Sequence, residues 1–122
     1  MTKPKYNLGT MTNTKHALKF ALQSPCTDYR HGAVIHKKGR PIVGAFNIPY
    51  KTHPEGSGPF GTCHAEVRAI AKARSILNRD DLTGYSLYVL RVNRRGEMKL
   101  SKPCNDCMAL IKEHNLSVEW ST

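Results

Sequence analysis

His64-Ala65-Glu66-Val67-Arg68-Ala69-Ile70 opens the segment that organises this chain. Ala65, Ala69, Ile70, Ala73 and Leu77 recur at the spacing of one helix face, so a helix starts here with His64 and Glu66 in its first turn. Farther on, Pro103-Cys104-Asn105-Asp106-Cys107 opens another helix, and its two cysteines, three positions apart, lie on one face. One histidine and two cysteines offer a nitrogen and two sulfurs to a zinc ion, while a carboxylate at Glu66 stands beside the metal without having to bind it. Three protein ligands leave a position for water, which separates a catalytic zinc from a structural one, so the pattern points to hydrolysis. Both helix N-termini direct partial positive charge toward such a site, which favours thiolate and hydroxide over their protonated forms.

Working outward, residues 86–92 read as a strand, 93–97 as a polar turn, 98–100 as a short return strand and 117–120 as a last strand. Upstream, the apolar runs 33–36 and 41–46 flank Lys37-Lys38-Gly39-Arg40, whose glycine suits a tight reversal; that is a hairpin. Thr12 or Asn13 caps a first helix carrying Ala17, Leu18, Ala21 and Leu22 and ending before Pro25. Residues 48–62 turn to Pro, Gly, Thr and Ser, a loop long enough to be functional or mobile. The order of helix, hairpin, helix, strand, helix, strand indicates an α/β fold in which helices pack on a sheet.

A length of 122 residues fits one domain, 1–122, and 39% hydrophobic residues can supply its core without help from a metal. No apolar stretch approaches the ~20 residues that span a bilayer, and the polar start does not resemble a leader, so the expectation is a soluble, unprocessed, cytoplasmic protein. A reducing compartment also suits zinc thiolates, and Cys26 and Cys63 lie too far apart in sequence to suggest a disulfide scaffold. Nineteen Lys and Arg against nine acids give a formal charge of +10, which favours anionic partners, whether free nucleotides or single-stranded nucleic acid, or else describes a solvated surface. On its own, a Cys-x-x-Cys is also a redox pair or half of a structural zinc site; Cys63, His53 and His114 are the candidates for a fourth ligand.

His64-Ala65-Glu66 together with Pro103-Cys104-x-x-Cys107, with a helix and a strand between, resembles the zinc-dependent cytidine and deoxycytidylate deaminase superfamily, which includes tRNA adenosine and polynucleotide cytosine deaminases. Gly32-Ala33-Val34-Ile35, Gly44-Ala45-Phe46-Asn47 and Leu87-Tyr88-Val89 also look like family positions, so the resemblance covers nearly the whole chain. It implies a three-layer α/β/α sandwich with a mixed sheet of four to five strands and an N-terminal hairpin. It further implies Zn2+ held by His64, Cys104 and Cys107, with Glu66 moving protons from water to the base and to the departing ammonia. Asn47 would hydrogen-bond the substrate sugar and the backbone of Ala65 would read the base edge. Phe46 would wall the base or fill core, and Ser101 and Lys102 would border the pocket, Lys102 near a phosphate.

Two departures stand out. Residues 90–102 are longer than the direct strand-to-Pro-Cys connection of many relatives, so Arg91, Arg94, Arg95 and Lys99 would form a basic ribbon beside the pocket. The sequence reaches Thr122 just after the fourth full strand, where many members continue into a fifth strand and a terminal helix. An uncovered sheet edge would favour a homo-oligomer. Three functions fit these residues: deamination of cytosine in a free nucleoside or nucleotide, deamination of nucleic acid with Tyr29, Tyr50 or Phe60 stacking on bases, or zinc-stabilised binding without turnover. Glu66 has no purpose in the third.

Overall fold

The computed structural model describes residues 8–49 and 64–122. Along the chain these form α1 (Leu8–Ala21), β1 (Arg30–Lys37), β2 (Arg40–Phe46), α2 (Ala65–Leu77), β3 (Ser86–Val92), β4 (Met98–Lys99), α3 (Asn105–Glu113) and β5 (Ser117–Trp120). The described residues make a five-stranded sheet in the order β2-β1-β3, with the far edge of β3 shared by two strands. β5 runs parallel to its first half, with Ser86 opposite Ser117 and Val89 opposite Trp120. β4 runs antiparallel to its end, with Arg91 opposite Lys99.

Alternation along the strands divides the core in two. Val34, Tyr88, Leu90 and Val92 face α1 and pack with Ala17 and Ala21. Ala33, Ile35, Leu87 and Val89 point the other way, onto Ala65, Ala69, Ile70 and Ala73 of α2 and Ile111 of α3. The result is the mixed-sheet, three-layer α/β/α sandwich. α1 crosses the hairpin where two glycines let it approach: a Cβ at Gly32 would lie 2.0 Å from the Ala17 carbonyl oxygen, and one at Gly44 would lie 2.1 Å from the Phe20 ring. The hairpin turns through Lys38 and Gly39, both at positive φ (52° and 78°), the backbone of a tight two-residue reversal.

Three boundaries differ from the sequence reading. α1 begins at Leu8, so neither Thr12 nor Asn13 caps it; Asn13 lies inside the helix and is buried, because packing against the sheet overrides its weak helix preference. α2 starts one residue after His64, and α3 starts at Asn105, after both Pro103 and Cys104. His64 and Cys104 are the N-cap residues, with extended backbone and no side-chain bond to the helix. Their carbonyls still accept the first helical bonds, from Arg68 at 3.2 Å and Met108 at 2.8 Å.

β2 is an edge strand among the described residues, yet two of its carbonyls are covered. Arg68 donates to the Phe46 carbonyl oxygen at 2.6 Å and Lys72 to that of Gly44 at 3.0 Å. Two cations from α2 thus blunt the edge against further strand pairing.

Candidate active site

Because a cap side chain that does not bond its own helix is free to turn elsewhere, His64 and Cys104 meet between the starts of α2 and α3. His64 Nδ1 lies 3.2 Å from Cys107 Sγ and 3.7 Å from Cys104 Sγ. All three ligand atoms fall within 4.8 Å of one another. A tetrahedral zinc with ordinary bond lengths would set nitrogen and sulfur about 3.6 Å apart and the two sulfurs about 3.8 Å apart, so the donor set fits that ion. Burial, the Glu66 carboxylate and Cys104 push the Cys107 thiol far above its usual range. A divalent cation reverses that balance, since it pairs with the charge that burial disfavours.

Among the described residues the group has three candidate ligands and no fourth. His114 caps the C-terminal end of α3, with Nδ1 2.9 Å from the Leu110 carbonyl oxygen, and lines a separate cavity with Asp80, Asp81 and Glu113. Cys63 and His53 lie outside the described residues, as do Tyr50 and Phe60.

A cavity of about 590 Å³ opens on this candidate ligand group, lined by His64 and Cys104 together with Ala65 and Glu66 from α2 and Asn47 after β2. Glu66 is 4% exposed, so its carboxylate is held in a largely dry wall. Asn47 is buried and heavily committed to its surroundings. Its Oδ1 accepts from the His31 backbone N–H at 2.8 Å and lies 2.7 Å from Ser24 Oγ, while its Nδ2 donates to the Tyr29 carbonyl at 3.0 Å. An amide nitrogen carries two N–H donors, and among the described residues only one of them is engaged, by Tyr29. Lys102 also lines the cavity.

Phe46 and Ser101 do not line it. The Phe46 ring lies under the Arg68 guanidinium, 4.9 Å from its centroid. Ser101 is buried, with Oγ 2.8 Å from the Val89 carbonyl oxygen and 2.7 Å from Ser121 Oγ, where it ties the chain before α3 to β3 and β5. A serine flanking a motif is as readily recruited to hold strands as to touch a substrate.

Asp28 and His31 line the cavity although the sequence reading named neither, and Arg91, expected in a basic ribbon beside the pocket, is part of its wall. His31 and Arg91 are direct partners across β1 and β3. On the α2 face, β1 runs Ile35, Ala33, His31 and β3 runs Leu87, Val89, Arg91; both apolar rows turn polar at the same rung. That break in alternation was the available signal, but it acquires meaning only once the register is known. Burial holds the His31 imidazole below its ordinary 6.5, opposed by Glu66 and reinforced by the positive charge of Arg91 and by His64. Tyr29 and Asp28 complete the rim.

The model of the cytidine and deoxycytidylate deaminase zinc-binding region matches residues 10–118. No curated protein matches the chain in sequence. Among solved structures, a guanine deaminase from Bacillus subtilis is 26% identical, covering 94% of this chain and 63% of that one, with a TM-score of 0.60. A tRNA:A34 deaminase is 21% identical over 90% of this chain and 70% of that one, with a TM-score of 0.61. A dCMP deaminase from cyanophage S-TIM5 is 18% identical over 96% and 83%, with a TM-score of 0.63. At 21% and 18% identity the last two attest the fold.

Proposed function

The chain belongs to the cytidine and deoxycytidylate deaminase family, and on that premise we propose that it is a zinc-dependent hydrolase converting cytosine to uracil in a free nucleoside or nucleotide. The observation that carries this reading is the buried carboxylate of Glu66 in the wall of a cavity shared with His64 and Cys104. His64 Nδ1 and the sulfurs of Cys104 and Cys107 would hold zinc. Bound there, the ion supplies a water whose pKa falls toward ~7.

The chain's own groups do the rest. Glu66 takes a proton from the attacking water, passes it to the ring nitrogen next to the amino-bearing carbon, and delivers the second proton to the departing amino group. Water is consumed, the carbon–nitrogen bond breaks and ammonia leaves, so the atoms balance. The backbone of Ala65 at the start of α2 reads the base edge, and the remaining N–H of Asn47 Nδ2 donates to a sugar hydroxyl. Exclusion of solvent around Glu66 keeps the proton on this short path.

The test is Glu66→Gln. It should retain one zinc per chain by elemental analysis while ammonia release falls by roughly 10²- to 10⁴-fold or more. Undiminished turnover, or loss of zinc with activity intact, would overturn the assignment of Glu66. The panel should span cytidine, deoxycytidine, their 5′-monophosphates, adenosine, guanine and single-stranded oligonucleotides.

A second reading, deamination within nucleic acid, is favoured by the net charge of +10 and by the exposed Arg94, Arg95 and Lys99 around the β3–β4 turn. Deamination of oligonucleotides alone would install it instead. A homo-oligomer and a cytoplasmic, reducing setting belong to the same proposal, and sedimentation of the zinc-loaded protein tests the first of these. No helix among the described residues is long and apolar enough to cross a membrane.

A further inference from the structure

We infer that Arg91 anchors the phosphate of a nucleoside 5′-monophosphate, which makes the nucleotide rather than the nucleoside the substrate. This rests on the deaminase reading above and narrows it.

Arg91 lines the cavity, and its Nε is buried with no hydrogen-bond partner. Its contact through Nη1, to the Leu100 carbonyl oxygen, is long at 3.4 Å. A guanidinium placed for structure is normally matched by a carboxylate or several carbonyls, because a buried donor without an acceptor is costly. Of the two acids that line the cavity, Asp28 is already engaged by Arg94 at 2.7 Å, and Glu66 makes no ion pair with Arg91. Across the strands Arg91 faces His31, an imidazole that burial keeps toward its neutral form, so this partner offers no negative charge. Lys102 adds a second cation to the same cavity.

Glu66 and Asp28 share this wall, yet among the described residues neither Arg91 nor Lys102 forms an ion pair with them, and Arg91 keeps a planar fork with an unused N–H. A phosphate monoester supplies both the charge, about −2 at neutral pH, and the acceptor oxygens such a fork takes.

The backbone around Arg91 is held for this role. Its N–H donates to Ser121 Oγ at 3.2 Å, and Ser121 Oγ in turn donates to the Lys99 carbonyl at 2.8 Å. Ser101 joins the same cluster one residue before Lys102. The clamp fixes Arg91 and Lys102 relative to each other, so both cations reach the cavity from a rigid edge. The extended β3–β4 connection is what creates that edge.

The experiment compares kcat/KM for 5′-dCMP with deoxycytidine, and for 5′-CMP with cytidine, in the zinc-loaded protein and in Arg91→Gln and Arg91→Lys. Because each preference is a ratio within one variant, a general loss of folded protein cancels. The nucleotide should be preferred at least tenfold, and Arg91→Gln should cut that preference by about ten- to a hundredfold, as expected for one lost charge-assisted contact. Arg91→Lys should restore part of it. Calorimetry on Glu66→Gln reads binding of 5′-dCMP and deoxycytidine without turnover and should give the same ordering. Equal use of nucleoside and nucleotide, or a ratio untouched by Arg91→Gln, overturns the anchor and leaves the deaminase standing. Turnover only of cytosine within oligonucleotides overturns the mononucleotide, and no deamination of any base overturns the underlying reading and the anchor with it.

Discussion

Asn47→Ala should destabilise the protein as well as weaken its hold on substrate. The side chain is 3% exposed and joins three segments: Oδ1 accepts from the His31 N–H at 2.8 Å and sits 2.7 Å from Ser24 Oγ, and Nδ2 donates to the Tyr29 carbonyl at 3.0 Å. Alanine leaves a backbone N–H, a hydroxyl and a carbonyl without that partner. Ser24 keeps an alternative acceptor in the Asn47 carbonyl, at 2.8 Å, so two groups bear most of the loss. At about 1–3 kcal/mol for each unsatisfied group, partly relieved by water from the cavity, the total comes to about 3 kcal/mol. With a urea dependence of about 1.5 kcal/mol/M, the unfolding midpoint should drop by about 2 M. Both proteins should be unfolded at saturating zinc, so that the ligand's contribution is matched. A midpoint within about 0.3 M of the unmodified protein would refute the argument that this amide is a structural joint, and would return Asn47 to a purely substrate-facing role.

Other perturbations separate fold from site. Gly32→Ala sets a Cβ against the backbone of α1, 2.0 Å from the Ala17 carbonyl, whereas Gly44→Ala meets only the movable Phe20 ring. Chemical unfolding should therefore show a loss of about 3 kcal/mol or more for the first and about 1–2 kcal/mol for the second, and the reverse order would refute the packing account. Cys107→Ser should reduce bound zinc well below one per chain by elemental analysis; full zinc occupancy in that variant would remove Cys107 from the ligand set. Chelation should abolish ammonia release while far-ultraviolet circular dichroism stays unchanged, because the two apolar clusters flanking the sheet are built without the ligands. His36 is partly buried, its Nδ1 has no partner, and burial lowers its pKa from 6.5. As pH falls below that value the unfolded chain binds the proton first, so stability should decline until the folded-state pKa is passed. Urea midpoints of chelated protein should fall from pH 7.5 to about 5.5, less steeply in His36→Gln; an equal slope would discount this residue.

Much of the fold was legible because its signals are local. The alanine-rich period of 65–77, the apolar runs either side of Lys38-Gly39, and the strand at 86–92 each declare their geometry within a few residues. The grouping of the three candidate metal ligands was legible for the same reason, since Cys104 and Cys107 are neighbours on one helix start and His64 begins another. The start of α1 was not, because Thr12 and Asn13 carry the chemistry of a cap, and only tertiary packing shows that Asn13 is enclosed within a longer helix. Asn47 was identified for its chemistry, but three of its bonding capacities are spent on Ser24, Tyr29 and His31, a commitment invisible without the return of those residues from elsewhere in the chain. His31 and Arg91 needed the register of β1 on β3.

This division has a consequence for specificity. The candidate ligands and Glu66 come from the first turns and caps of two helices, positions set by local sequence and, on the proposed function, suited to a reaction in which water replaces an amino group. His31, Arg91 and Lys102 come instead from the strand ends and from the connection between β3 and α3. That connection can lengthen without disturbing the helix starts, because Ser101 and Ser121 re-anchor the chain just before Pro103. Chemistry and recognition thus rest on separately adjustable elements. On the anchor proposed above, the rung formed by His31 and Arg91 decides what charge the substrate carries without touching the candidate metal ligands. Transplanting a hydrophobic pair onto that rung should change which nucleoside derivative is chosen far more than it changes zinc content, and a loss of zinc in step with the loss of preference would show that the two halves of the cavity are not separable.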